Sequence, residues 1–158
     1  MTAVFTLSSH NPFKVPEKYK GRFPKGSLDI HESIGYTDYA LEKFFEKIKE
    51  EPWFNNTLFV LTADHTYKSA RARYNNKVGQ YRVPILFYDP TQKLLPAKIN
   101  ATVSSHIDIL PSLTYLFGLK TIDKNYLSRN LFAEAGALNE PKIPSSIFLD
   151  DKNYYLVT

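Results

Sequence analysis

The run Asn56-Thr57-Leu58-Phe59-Val60-Leu61-Thr62-Ala63-Asp64-His65 decides how the rest of the chain is read. Its apolar, partly β-branched body has the pattern of a strand buried on both faces. It ends abruptly in a carboxylate followed by an imidazole. Strands in α/β domains deliver their last residues to the rim where ligands bind. The chain turns at this point, so both side chains can converge on one spot. Aspartate with neutral histidine is a donor pair suited to Zn²⁺ or Mn²⁺. The competing reading is a helix-capping aspartate beside a surface histidine.

Outward from that run, 158 residues are enough for one domain with a single core. An aromatic content of 15% favours a packed domain over disorder. There is no cysteine, which excludes disulfides, thiol catalysis and cysteine-ligated zinc within the chain and leaves the compartment open. No stretch reaches the roughly 20 apolar residues of a membrane span. Met1 to Leu7 lacks the basic start of a signal peptide and opens inside a strand-like pattern. The chain is therefore expected to be a piece of something longer. A net charge of +4 suits an anionic partner without choosing among phosphate, sulfate, nucleic acid or membrane.

In chain order, Ala3 to Leu7 reads as a short strand, and Ser8 to Phe13 leaves it in a turn that carries His10. A basic loop with Lys14, Lys18, Lys20, Arg22 and Lys25 follows, punctuated by Pro16, Gly21, Pro24 and Gly26. The spacing of Ile30, Ile34, Thr37, Leu41, Phe44, Phe45 and Ile48 predicts a helix from about Asp29 to Glu50 with one apolar face. Asp29 and Glu32 have capping-box spacing, and His31 reads as solvated. Thr66 to Tyr81 reads as a loop containing Lys68, Arg71, Arg73 and Lys77 and no acid, with Arg82 just beyond. Those cations either lower the cost of holding a dianion or belong to an exposed, solvated loop.

Val83 to Tyr88 predicts a second strand, with Pro84 tolerable at its start. A helix runs through Leu116, with Pro111 in its first turn, Asp108 as the expected cap and Gly118 as its C-terminal stop. Tyr126 to Phe132 reads as an extended or turn segment. Ser146 to Leu149 and Asn153 to Val157, joined through Asp150-Asp151-Lys152, read as a hairpin. The order of elements indicates an α/β sandwich with mixed edges.

His10, His65, His106 and Asp64 all follow strand-like runs. Sharing one rim, they could hold a metal and contact a charged oxygen, with His10 binding an equatorial oxygen or protonating a leaving group. Ser8, Ser9, Thr62, Thr66, Ser104 and Ser105 lie in no activating motif. Walker A, Gly-x-Ser-x-Gly and Gly-x-Gly-x-x-Gly patterns are absent. A catalytic metal wants three or more protein ligands, so the visible constellation is about half a site.

Four stretches together resemble a known family. Phe5 to Pro16 is similar to a His-x-Pro-Phe segment, Thr57 to His65 to an "NTLFVLTADHG" strand, Gln80 to Ile85 to an Arg-Val-Pro strand, and Ser105 to Leu113 to an "Asp-Ile-x-Pro-Thr-Leu" helix start. In this order they resemble the C-terminal half of the sulfatase domain of the alkaline phosphatase superfamily, within it the branch of lipoteichoic-acid synthase-like phosphoglycerol transferases and related sulfatases. The resemblance implies a partial domain over residues 1–158, part of a sandwich around a mixed, mainly parallel sheet flanked by helices. It implies a divalent metal (Mn, Ca or Zn) on Asp64 and His65, and His10 on the phosphate or sulfate of an ester substrate, with Arg82 a further anion-binding candidate. It assigns His106 no role, and a buried, helix-capping histidine is expected there.

The family's nucleophile (Thr in the transferases, a modified Cys or Ser in the sulfatases), its other metal ligands and its N-terminal membrane helices have no counterpart in this sequence. Thr66 stands where many relatives carry Gly. The expectation is an inactive, soluble fragment of a membrane-anchored, extracytoplasmic enzyme. Its partner is the missing N-terminal half, or a second copy covering an unprotected strand edge. The alternative is a non-catalytic α/β module that binds anionic polymers through its basic loops. Nucleic acid fits poorly, because the aromatics fall at core positions and do not interleave with the cations.

Overall fold

The apolar stripe of the first long amphipathic run forms α1 (Ile30–Ile48). The computed structural model describes residues 1–120, 127–133, 145–150 and 152–158. Ile48 is buried at the end of α1, and the Phe45 ring meets Phe59 and Tyr88 edge-on at 5.1 and 5.5 Å. Phe54 closes the same cluster against Phe59. These rings seat the helix on a two-stranded sheet of β1 (Phe59–Thr62) and β2 (Ile85–Tyr88).

The two strands run antiparallel, with Phe59 opposite Tyr88 and Thr62 opposite Ile85. A 22-residue link from Thr62 to Ile85, spanning 63–84, is long enough for a parallel crossover. Strand direction therefore was not decided by connection length. The consequence is functional: the end of β1 and the start of β2 share one edge, so Asp64, His65 and Arg82 leave the sheet at the same place.

Several expectations are corrected. Ala3 to Leu7 forms no strand, and Val4, Phe5 and Leu7 are exposed. A strand pattern needs a neighbour to complete its hydrogen bonds, and no described strand pairs with this segment. β1 is half-exposed along its length rather than buried on both faces. Asp29 makes no side-chain cap. Glu32, its expected partner, instead accepts a hydrogen bond from the Gly21 backbone at 2.6 Å. His31 is half-buried, and its Nδ1 accepts from the Ser27 N–H at 3.1 Å. A Cβ at Gly26, where φ is +59°, would fall 1.9 Å from that nitrogen, so the ring fixes the turn ahead of α1.

The basic segment after β1 is partly ordered into helix. A 3-10 turn covers Ala72–Tyr74, and α2 (Lys77–Gln80) follows with Asn76 as its cap, accepting from the Gly79 N–H at 2.9 Å. Gly79 is buried, and a Cβ there would meet the Tyr74 carbonyl oxygen at 2.1 Å.

α3 (Ile109–Leu116) begins one 3-10 turn after its real cap. Ser105 and Asp108 form a reciprocal capping box, so Ser105 rather than Asp108 is the capping residue. Gly118 ends the helix with φ +62° as expected. Asp108 is 1% exposed and accepts from the backbone of Ser105 and Arg129 at 2.8 and 2.9 Å. Leu127 to Phe132 is a turn segment as read; Tyr126 lies outside the described residues.

The C-terminal hairpin pairs β3 (Ser146–Asp150) with β4 (Asn153–Val157), as expected, although Asp151 of its turn lies outside the described residues. Phe148 stacks on Tyr81 at 4.5 Å, and the Tyr81 hydroxyl donates to the Leu149 carbonyl. The hairpin thus buttresses the segment between α2 and β2.

Asp89, just past β2, caps its own loop. Burial works to raise its carboxyl pKa, but hydrogen bonds from the Thr91 hydroxyl and from the backbones of Leu94, Thr91 and Leu95 outweigh it and hold the pKa at about 2. A depressed carboxyl stabilises the fold above its unfolded pKa, and that stability drains away as pH falls towards the folded value. Asp89→Asn is therefore expected to lower Tm by a few degrees at pH 7, with the gap narrowing from pH 4 to pH 2. Thermal melts across that range test it; a gap constant with pH would contradict it.

Candidate functional site

β1 ends at Thr62, and the turn that follows exposes both Asp64 and His65, whose side chains are 60% and 67% accessible. Asp64 Oδ1 accepts from the His65 backbone N–H at 2.9 Å, which leaves Oδ2 facing the ring. His65 Nε2 lies 3.7 Å from that Oδ2. His65 Nδ1 is 2.8 Å from the Thr66 carbonyl oxygen. A carbonyl oxygen only accepts, so Nδ1 carries a proton, and in the neutral ring the lone pair is on Nε2.

The two donors, Asp64 Oδ2 and His65 Nε2, thus face each other on one exposed turn. Two ligands at about 2.0–2.2 Å from one ion stand roughly 3.0–3.4 Å apart, and a small movement closes the observed gap. The bond from Nδ1 to a backbone carbonyl is the usual outer-shell support of a ligating histidine. Among the described residues no third His, Asp or Glu joins them, so the pair is an incomplete set.

Thr66 ties the turn to the basic segment. Its backbone N–H and its hydroxyl both donate to the Gln80 carbonyl, at 3.2 and 2.7 Å. Beyond that link lies a cleft of about 440 Å³ lined by Arg73, Tyr74, Asn76, Val78, Gly79 and Arg82. The Tyr74 ring carries two guanidiniums, Arg73 at 4.6 Å and Arg82 at 5.5 Å from its centroid. No acid occurs from Thr66 to Tyr88. Among the described residues neither guanidinium meets a carboxylate. Two cations held on one ring, with no carboxylate of the described residues paired to them, make a favourable place for an anion.

His10 lies in a double turn, its N–H donating to Leu7 and its carbonyl accepting from Phe13. Its Nδ1 is 2.8 Å from the Asn11 carbonyl oxygen, so Nδ1 donates within the turn and Nε2 points away from that bond. Phe13, three residues on, packs edge-to-face on Tyr67 at 5.0 Å. That contact brings the His10 turn alongside the segment just after His65.

His106 is exposed, not buried, and does not cap α3. Its Nε2 reaches back to the end of β1, 2.8 Å from the Ala63 carbonyl oxygen and 3.2 Å from Thr62 Oγ1. The pairing of His106 with Ala63 crosses 43 positions, and nothing in local spacing signals it. Asn76 and Thr66 were likewise unassigned, though Asn76 one residue before α2 is a legible cap.

The Sulfatase family model matches residues 1–119, and the chain belongs to the sulfatase family. It is 27% identical over 149 residues to lipoteichoic acid synthase 1 of Bacillus subtilis (strain 168), a match covering 83% of this chain and 23% of that protein. It is also 27% identical over 140 residues to the lipoteichoic acid synthase of Staphylococcus aureus (strain USA300), covering 78% of this chain and 21% of that protein. The chain thus spans less than a quarter of the length of these curated relatives. No solved structure matches it.

Proposed function

We propose that this chain supplies part of the metal and anion site of an enzyme that transfers phosphoglycerol or hydrolyses sulfate or phosphate esters. The observation that carries this reading is the pairing of Asp64 Oδ2 with His65 Nε2 at 3.7 Å on an exposed rim, with Nδ1 held by the Thr66 carbonyl. Asp64 and His65 would hold the cation, which when bound supplies Lewis acidity toward the non-bridging oxygens of the ester. Mn²⁺, Ca²⁺ and Zn²⁺ all accept oxygen and imidazole donors in some ratio, and Zn²⁺ or Mn²⁺ suits this pair better than Ca²⁺.

His10, with Nδ1–H committed to its own turn, would donate to an ester oxygen or a leaving group through Nε2–H of the imidazolium form. Arg82 and Arg73 neutralise the dianion. The nucleophile and the remaining ligands come from another part of the polypeptide, which also completes the mainly parallel sheet of an alkaline-phosphatase-like sandwich. That part covers the apolar groove of Leu41, Phe45, Phe54, Leu61 and Leu86 beside α1. The enzyme is membrane-anchored and works outside the cytoplasm. Within this chain no described helix is long and apolar enough to cross a membrane.

Assay of nitrophenyl phosphate and nitrophenyl sulfate esters tests the reading. The full-length protein is expected to turn over at least one of them in a metal-dependent way, and the 158-residue chain neither. Comparable rates from the two would overturn the assignment of the nucleophile to another segment. Arg82→Ala in the full-length protein is expected to raise KM about 10-fold or more with a smaller change in kcat, since the guanidinium contributes charge-assisted binding of roughly 1.5–3 kcal/mol. An unchanged KM would remove Arg82 from the anion site.

A further inference from the structure

His106 has a place in the fold that the mechanism above does not use. It stands at the start of the 3-10 turn His106–Asp108, whose two ends are locked by the Ser105–Asp108 capping box and by the buried Asp108 carboxylate. The backbone that carries the ring is therefore fixed. The ring itself is exposed and fills no core space, so packing does not explain its position.

Its Nε2 is 2.8 Å from the Ala63 carbonyl oxygen. That oxygen can only accept, so Nε2 carries a proton. The same nitrogen is 3.2 Å from Thr62 Oγ1, and the Thr62 hydroxyl donates to the Pro84 carbonyl at 2.9 Å. The end of β1, the entrance to β2 and the turn before α3 thus meet at two adjacent residues. The Ala63 carbonyl and the Asp64 N–H belong to one planar peptide unit. A bond that holds the carbonyl holds the plane, and the plane sets where Asp64 Cα begins.

We propose that His106 is a positioning residue: its Nε2–H clamps the Ala63 carbonyl and so aims Asp64, and with it His65, at the cation site. The proposal rests on the reading of Asp64 and His65 as metal ligands. The clamp lies one peptide behind the first ligand, and supports of this kind change metal affinity roughly 10–100-fold when removed.

The test is Mn²⁺ titration calorimetry on the full-length protein with wild type, His106→Leu, His106→Asn, His106→Gln and Asp64→Ala, together with nitrogen NMR of the His106 ring in the wild type. A glutamine amide places an N–H where Nε2 stands, whereas asparagine places one at the Nδ1 position. Leucine and asparagine are expected to weaken Mn²⁺ binding roughly 10–100-fold, glutamine to restore it to near the wild-type value, and the ring to be protonated on Nε2. Wild-type affinity in His106→Leu, an equal loss in His106→Gln, or a ring protonated on Nδ1 alone would overturn the proposal. Were the leucine variant unable to fold, the ring tautomer and the glutamine variant would still decide. Failure of the ligand reading looks different: wild type and Asp64→Ala take up Mn²⁺ alike, and the tautomer still judges the clamp.

Discussion

Asp64→Ala in the full-length protein is expected to abolish Mn²⁺ uptake at micromolar concentration and to lower ester turnover on the order of 10³-fold. The size follows from what the carboxylate does. Among the described residues it is the only anionic donor beside His65, and no second acid there stands ready to replace it. Losing it removes a charge-bearing ligand and unfixes the His65 backbone, whose N–H bonds to Oδ1. Lewis-acid stabilisation of the transferring group is worth several kcal/mol, and each 1.36 kcal/mol is about tenfold in rate. Asp64 is exposed and makes no core contact, so the fold is expected to survive with its melting temperature nearly unchanged. Parallel calorimetry, kinetics and thermal melts check all three parts. Retained metal uptake with retained turnover would remove Asp64 from the site.

The second large effect is on stability. Asp108→Ala is expected to destabilise the chain by about 3–5 kcal/mol, the usual cost of breaking a buried charge pair by removing one partner. Asp108 is 1% exposed and receives the backbone N–H groups of Ser105 and Arg129. The Arg129 Nε lies 3.9 Å from its Oδ2 and is buried with no hydrogen-bond partner of its own, and among the described residues this carboxylate is the one that pairs with it. Ser112, fully buried, donates to the Asp108 carbonyl at 2.6 Å and accepts from the Leu131 N–H at 2.9 Å. One side chain therefore caps α3, holds the 127–133 turn and neutralises an arginine. Urea titration is expected to show the loss, with Asp108→Asn intermediate because the amide oxygen still accepts. A change under 1 kcal/mol in the alanine variant would contradict this account.

The long elements were legible in their spacing. α1 follows the three- and four-residue steps of Ile34, Leu41, Phe45 and Ile48, of which only Ile48 is buried here, and β1 and β2 follow continuous apolar runs bounded by Asn56 and Asp89. What local pattern cannot supply is the partner. Ala3 to Leu7 has strand composition yet pairs with no described strand, and β1 and β2 proved antiparallel because direction is set by tertiary packing. The capping box at Asp29 and Glu32 was an equally fair local reading, lost to a distant competitor in the Gly21 N–H.

The site divides along the same line. Asp64 and His65 were readable as an adjacent donor pair at a strand end. Their proposed role as ligands depends on the tautomer that the Thr66 carbonyl favours, which is local but invisible to spacing. Arg82 could be placed beside them only once the antiparallel register was known, and His106 only once α3 was folded back on β1.

The most direct test is anomalous diffraction from crystals of the full-length protein grown with Mn²⁺. The account predicts one strong anomalous peak within roughly 2.5 Å of both the Asp64 carboxylate and His65 Nε2, with His65 Nδ1 still bonded to the Thr66 carbonyl. A peak coordinated elsewhere, with both side chains facing bulk water, would contradict it.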